Sequence, residues 1–130
     1  MKVLRVVAVG GWIAAQLLFA PLIYAQTAAT GLRVSPSSID FGEDAVNADS
    51  AVRSITVSNP TNTTITIEQI IASGIDFSEK HDCGQTLAPA AKCTVQIAFT
   101  PVISGPRTGS LEVMESNGNA HFVALNGTGK

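Results

Sequence analysis

From Leu32 onward, apolar side chains recur at every second position in short runs separated by turn residues. "SITVSN" puts Ile55 and Val57 on one face and Ser54, Thr56 and Ser58 on the other. The same alternation carries Ile65 and Ile67 in "TITIEQI", Val95, Ile97 and Phe99 in "CTVQIAFTP", Leu111 and Val113 in "GSLEVME", and Val123 and Leu125 in "AHFVALNG". "IDFG" sets Ile39 and Phe41 on a shared face. Neighbouring side chains of a strand point to opposite faces, so a period of two in β-branched sequence marks strands that are wet on one side and buried on the other. About seven such runs within about 100 residues predict an all-β chain, an immunoglobulin-like β-sandwich whose two sheets bury these side chains between them.

The intervening segments read as turns. "SPSS" and "PTNT" interrupt the alternation, and "SGPRTG" from Ser104 to Gly109 is turn chemistry ahead of a strand. "SNGN" predicts a hairpin, because Asn-Gly tolerates positive φ at both central positions. Gly42 reads as a strand-ending bend, and "NGTG" as the end of the last strand. One segment departs from the pattern: in "IEQIIASG", Ile67, Ile70 and Ile71 have helical spacing, enough for a single turn.

Ahead of the strands stands a leader. Lys2 and Arg5 form a basic start, an apolar run begins at Val6, Pro21 breaks it, and the small Ala25 precedes Gln26. That order is the pattern of a secretory signal peptide. Residues 1–25 therefore read as a signal cut between Ala25 and Gln26, residues 26–31 as a flexible lead-in, and residues 32–130 as one domain. The competing reading is an uncleaved anchor. The run is only just long enough to span a bilayer, and Gly10, Gly11, Gln16 and Pro21 interrupt it. Membrane attachment is expected only if the leader is retained, and the expected location is the periplasm or the medium.

Cleavage removes two of the eight basic residues and none of the ten acidic ones, which leaves a formal charge of −4. The remaining Arg33, Arg53, Lys80, Lys92, Arg107 and Lys130 are scattered singly. No basic patch is available for nucleic acid or anionic lipid. Trp12 and Tyr24 leave with the signal, so stacking platforms for sugars or bases are not expected either.

The two cysteines, Cys83 and Cys93, are the residues that invite chemistry. An even count in an exported chain points to a disulfide. Such a bridge would close the segment "GQTLAPAAK", which otherwise has little to hold it, and a ring of this size is worth about 3 kcal/mol in loop entropy. A redox role would want Cys-x-x-Cys spacing. Zinc is the sharper rival, with His81, Asp82, Cys83 and Cys93 close in sequence and His121 on a later strand. However, ten residues between the cysteines match no zinc spacing, and copper carriage would want paired Met and His, where only Met114 remains. His81 reads as a solvated loop residue. His121 reads as lying on an exposed strand face or beside Phe122. The acidic stretch with Glu43, Asp44 and Asp49 lacks the alternating ligands of a calcium loop, and no Gly-x-Ser-x-Gly elbow is present. The expectation is one disulfide, no catalytic residue, no metal and no cofactor.

Taken in order, "VSPSSIDFGEDAVN", "SITVSNPTNTTITIEQI", "GIDFS", "CGQTLAPAAKCTVQIAFTP", "SGPRTGSLEV" and "VALNGTG" resemble the Hydin-type, or ASH, immunoglobulin-like domain. Bacterial members of this type are often described as choice-of-anchor D modules. The resemblance covers Leu32 to Gly129. It implies a relative of the major sperm protein and PapD-type sandwiches, a non-enzymatic module, and a cysteine pair flanking this loop. Members occur in cilia- and centrosome-associated proteins and in exported bacterial surface proteins, often as repeats; this chain carries one copy. The expected function is protein–protein interaction or a structural role at the cell envelope, with an unidentified envelope or extracellular protein as partner and an undetermined oligomeric state. The alternatives are a periplasmic chaperone-like protein and a metal carrier. Strand addition at an open sheet edge is the natural binding mode, and "LRVSP" and "HFVALNG" are the expected edges.

Overall fold

The computed structural model of the chain describes residues 30–48 and 51–130. The signal segment, the Ala25–Gln26 cleavage point, residues 26–29 of the lead-in and Asp49 lie outside the described residues. Nine strands are described: β1 (Arg33–Ser35), β2 (Ser38–Asp44), β3 (Ala51–Ser58), β4 (Ile65–Ser73), β5 (Phe77–His81), β6 (Thr86–Leu87), β7 (Lys92–Phe99), β8 (Gly105–Glu115) and β9 (Ala120–Gly129). They form a four-stranded sheet in the order β1-β3-β7-β5 and a five-stranded sheet in the order β2-β9-β8-β4-β6. All pairs are antiparallel except β2 with β9, which run parallel. The sandwich thus has the expected class, and β5 and β6, at five and two residues, account for the strands beyond the expected seven.

The alternation in the sequence is the alternation of burial. Ile55 and Val57 on β3, and Val95, Ile97 and Phe99 on β7, face Leu111 and Val113 on β8 and Val123 and Leu125 on β9; all nine are fully shielded. Each such side chain contributes about 2 kcal/mol through removal of apolar surface from water. Ile39, Phe41, Ile67, Phe77 and Leu87 complete the core. Cys93 lies opposite Val57 near one end of the sandwich, and Phe99 lies opposite Ala51 and Phe77 near the other.

Four local expectations are corrected. The helical spacing of Ile67 and Ile70 belongs to a strand with a β-bulge: Ile67 pairs with Glu115 and Gln69 with Met114, so one extra residue sits between them. The bulge shifts the phase, so Ile67 is buried, Ile70 is half-buried and Ile71 turns outward. The "SNGN" hairpin forms between β8 and β9 as expected, but its backbone differs, with positive φ only at Gly118. The Gly118 N–H donates to the Glu115 carbonyl and the Glu115 N–H to the Asn119 carbonyl, a type I turn closed by a glycine bulge rather than a two-residue turn.

The "SGPRTG" segment from Gly105 on lies inside β8 rather than ahead of it, while "NGTG" ends β9 at Gly129 as expected. The reason is space. Phe41, Phe77 and Phe99 cluster with ring centroids 5.0–5.8 Å apart. A Cβ on Gly127 would sit 2.5 Å from the Phe99 ring, and one on Gly109 would sit 2.6 Å from Phe77 Cδ2. These glycines make room for phenyl rings within strands.

The fourth correction concerns "HFVALNG". As part of β9 it is interior, flanked by β8 and β2, because β2 crosses to this sheet and covers it. Only β1 of the two expected edges is an edge.

Candidate functional site

Cys83 and Cys93 are joined by a disulfide, with their Cα atoms 5.1 Å apart. Cys93 is buried at the start of β7 and Cys83 is half-buried in the loop after β5. The bridge is one of several restraints on this loop. The Asp82 N–H donates to the Thr94 carbonyl (3.2 Å), and the Thr94 N–H donates to Asp82 Oδ1 (2.8 Å), so the β5–β7 ladder continues past His81. Leu87 is buried in the core, β6 pairs with Ile65 and Thr66, and the Ile67 N–H donates to the Gln85 carbonyl (2.8 Å).

Asn59 ties the same loop to the β3–β4 turn. It is fully buried. Its Nδ2 donates to the Leu87 and Thr63 carbonyls (2.8 Å each). Its Oδ1 accepts from the Thr61 N–H and hydroxyl. Its backbone exchanges hydrogen bonds with Ala90 and Ala91. Every polar group of the side chain is therefore satisfied, as burial demands. The expectation that little besides the bridge holds "GQTLAPAAK" is thus overturned.

Two buried carboxylates anchor other crossings. Asp76 is 3% exposed; its Oδ1 accepts from the Val102 N–H (2.9 Å) and its Oδ2 from Arg107 Nε (2.8 Å). Burial alone would raise its pKa, but the Val102 amide and the Arg107 guanidinium outweigh that and hold the carboxyl below its ordinary value. Glu115 is 2% exposed, and its Oε2 accepts from the Leu32 N–H (2.9 Å) and lies 2.7 Å from His121 Nε2. Glu115 Oε1 is enclosed and has no hydrogen-bond partner among the described residues. His121, expected on an exposed face or beside Phe122, is instead half-buried against Glu115, while Phe122 is 62% exposed. Neither Asn59, Asp76 nor Glu115 was anticipated. Glu115 carried a signal, since it continues the inward phase of Leu111 and Val113.

His81 ends β5 in an exposed position and is not brought to His121. A carboxylate oxygen of Asp82 and the two cysteine sulfurs lie within 4.8 Å of one another. Glu43 and Asp44 end β2, where Glu43 meets Lys130 at 3.6 Å. No helix among the described residues is long and apolar enough to cross a membrane.

The sheets leave bare edges of unequal character. β1 is short and is followed by Pro36. β5 carries Glu79, Lys80 and His81. β2 carries Asp40, Glu43 and Asp44 and kinks at Gly42, where φ is 75°. The fourth edge belongs to β4: β6 covers only Ile65 and Thr66, and among the described residues no strand pairs with Glu68–Ser73 on the side away from β8. A cleft of about 260 Å³ follows this edge, lined by Ile67, Glu68, Gln69, Ile70, His81 and Cys83 among others.

Known structures share this architecture. The chain is similar to the secreted serine protease VesC from Vibrio cholerae, at 18% identity and a TM-score of 0.59; the match covers 86% of this chain and 25% of that one. It is similar to the ASH/PapD-like domain 7 of human CEP192, at 15% identity and a TM-score of 0.56, over 81% of this chain and 89% of that one. It is also similar to the CupB2 chaperone of Pseudomonas aeruginosa, at 12% identity and a TM-score of 0.52, over 72% of this chain and 54% of that one. At these identities the likeness is one of fold, and the chain spans only a quarter of the protease. No curated protein sequence matches the chain. The family model described as "ASH: Abnormal spindle-like microcephaly-assoc'd, ASPM-SPD-2-Hydin" matches residues 30–123, and the chain belongs to that family.

Proposed function

We propose that this chain is an exported, non-enzymatic interaction module of the bacterial choice-of-anchor D type, which binds a partner protein by strand addition along β4. The observation that carries this reading is the bare stretch Glu68–Ser73. Unpaired backbone N–H and C=O groups are a template for an added strand, and native proteins blunt such edges with charge, brevity, proline or bulges. β1, β2 and β5 are blunted in these ways. The β4 edge has a bulge at its start, then runs on as Gln69-Ile70-Ile71-Ala72-Ser73 without a charge. Export is supported by the leader pattern and by a cross-link suited to oxidising compartments. A non-enzymatic role is supported by the engagement of His121 with a buried glutamate and the isolation of His81 at a strand end.

The test is site-specific photocrosslinking in the native host. Crosslinkers at Glu68 and Ile71 are expected to capture one partner that crosslinkers at Lys80 and Asp40 do not. Equal capture from all four positions removes the β4 edge from consideration.

The fold likeness to a chaperone favours a second reading, a chaperone-like factor that holds an exported subunit. A captured partner that is itself a fibre subunit would favour this reading over a static envelope role.

A further inference from the structure

We infer that this chain associates head to tail with further copies of itself, the Phe122 face of one copy seated on the Val52–Ala98 face of the next. The inference is independent of what docks on the β4 edge. It starts from the outer faces of the two sheets, which the core does not use. Residues directly opposite each other on neighbouring strands share a face. On the five-stranded sheet Leu111, Val113, Val123 and Leu125 are buried, so Glu112 and its partner Phe122 point outward. Ile71 pairs with Glu112 from the other side and completes the row. Phe122 is 62% exposed and Ile71 44%. Along β9 the neighbours of Phe122 on this face are Ala120 and Ala124, and β2 begins only opposite Ala124. The phenyl ring therefore stands above small neighbours as a knob.

The opposite outer face offers the complement. On the four-stranded sheet Val52, Ala98 and Ser78 form one outward row, and Ser54, Gln96 and Lys80 the next. A hollow of about 150 Å³ lies across them, lined by Val52, Ala98, Ser78, Gln96, Lys80 and Glu79. A volume of that order accepts a benzene ring. Val52 is 49% exposed, so seating Phe122 there takes apolar surface of both copies out of water.

Charge decides which face meets which. Among the described residues, β2, β8 and β9 turn Asp40 and Glu112 outward and no basic residue, and Glu43 is met by Lys130. The four-stranded sheet turns out Arg33, Lys80 and Lys92. Its strands turn no acidic residue outward: Glu79 pairs with the buried Ile97 and so belongs to the inner side, and Asp82, just past β5, accepts from the Thr94 amide. Two like faces would press Glu112 against Glu112 or Lys80 against Lys80. Unlike faces bring Glu112, beside the knob, to Lys80, beside the hollow. The contact is thus heterologous. Knob and hollow lie on opposite sides of the sandwich, so every copy gives one and receives one, and the contact propagates as a row.

Sedimentation velocity of the full chain, purified in the form its host produces, tests this. The mean sedimentation coefficient should climb with concentration past the value of a dimer. Glu112→Lys and Lys80→Glu should each weaken association about tenfold or more. An equimolar mixture of these two variants should restore it, because each reversal matches the other. Phe122→Ser alone should stay monomeric. A wild-type chain that is monomeric at every concentration overturns the inference, and so does growth that stops at a dimer. Association that survives both reversals, as strand addition between two β4 edges would, overturns it as well. So does a mixture of the two reversed variants that fails to associate while circular dichroism shows both folded. If either reversal unfolds the chain, Phe122→Ser decides: loss of association supports the inference and unchanged association overturns it.

Discussion

The two ends of this sandwich solve one problem with different chemistry. Each end must tie several loops to the sheets. The cysteine end uses a covalent bond, the buried Glu115 that ties Leu32 to His121, and a neutral buried amide, Asn59, which joins the β3–β4 turn to the loop before β7. The opposite end has no covalent tie among the described residues. Asp76 there joins the β4–β5 turn to the β7–β8 segment and to Arg107, above the cluster of three phenyl rings. A buried amide needs only hydrogen bonds to offset its burial. A buried carboxylate also needs a countercharge. Reductant should therefore loosen only the cysteine end, and protonation of Asp76 should loosen the other.

The sharpest way to break this contrast is Asp76→Ala. It strands the Arg107 guanidinium and the Val102 amide, and should cost about 3 kcal/mol, the low end for a broken buried pair because Arg107 is partly exposed. A urea midpoint that barely moves would show that the pair is not the anchor of that end. Next in size is Cys83→Ser with Cys93→Ser, expected to cost about 2–3 kcal/mol through the unfolded chain. Because Leu87 and Asn59 hold the loop in the folded state, the Leu87 and Ala90 amides should stay protected from hydrogen exchange in this variant. Rapid exchange there would mean that the bridge alone orders the loop. Asn59→Ala should cost about 2 kcal/mol, since it strips the Leu87 and Thr63 carbonyls of the Nδ2 donor and the Thr61 amide of its acceptor. Its denaturation in the reduced and oxidised chains measures whether amide and bridge act independently.

The smallest effect is the pH dependence of the Asp76 end. Its folded pKa lies below the ordinary 3.8, so its stabilisation is full above that value and is lost as pH falls through the lowered folded pKa. Asp76→Asn should flatten the stability profile over that acid range, whereas the cysteine variants should keep its slope.

The core was legible because burial here follows a period of two, and Ile55, Val57, Val95, Ile97, Leu111, Val113, Val123 and Leu125 all fall where alternation puts them. The cysteine pairing was legible from the even count and the leader. Asn59 was not, because an Asn before a Pro reads as a turn residue, and its burial depends on Leu87, a partner 28 residues away. Gly109 read as turn chemistry because a glycine's local preferences carry no record of a phenyl ring packed on it from elsewhere. The sheet edges were half legible. β1 ends a sheet as expected, but the cover over β9 comes from a parallel pairing between segments more than 80 residues apart, and neither segment's own pattern encodes that register.

That parallel pairing has a mechanical consequence. β2 begins at Ser38 near the incoming chain, and β9 ends at Gly129 beside Asp44. A pull applied to the segment before β1 and to the residue after β9 draws these two strands past each other lengthwise, once β1 has given way. Their hydrogen bonds are then loaded together in shear rather than opened one at a time, and the domain resists stretching along the line in which its own chain runs.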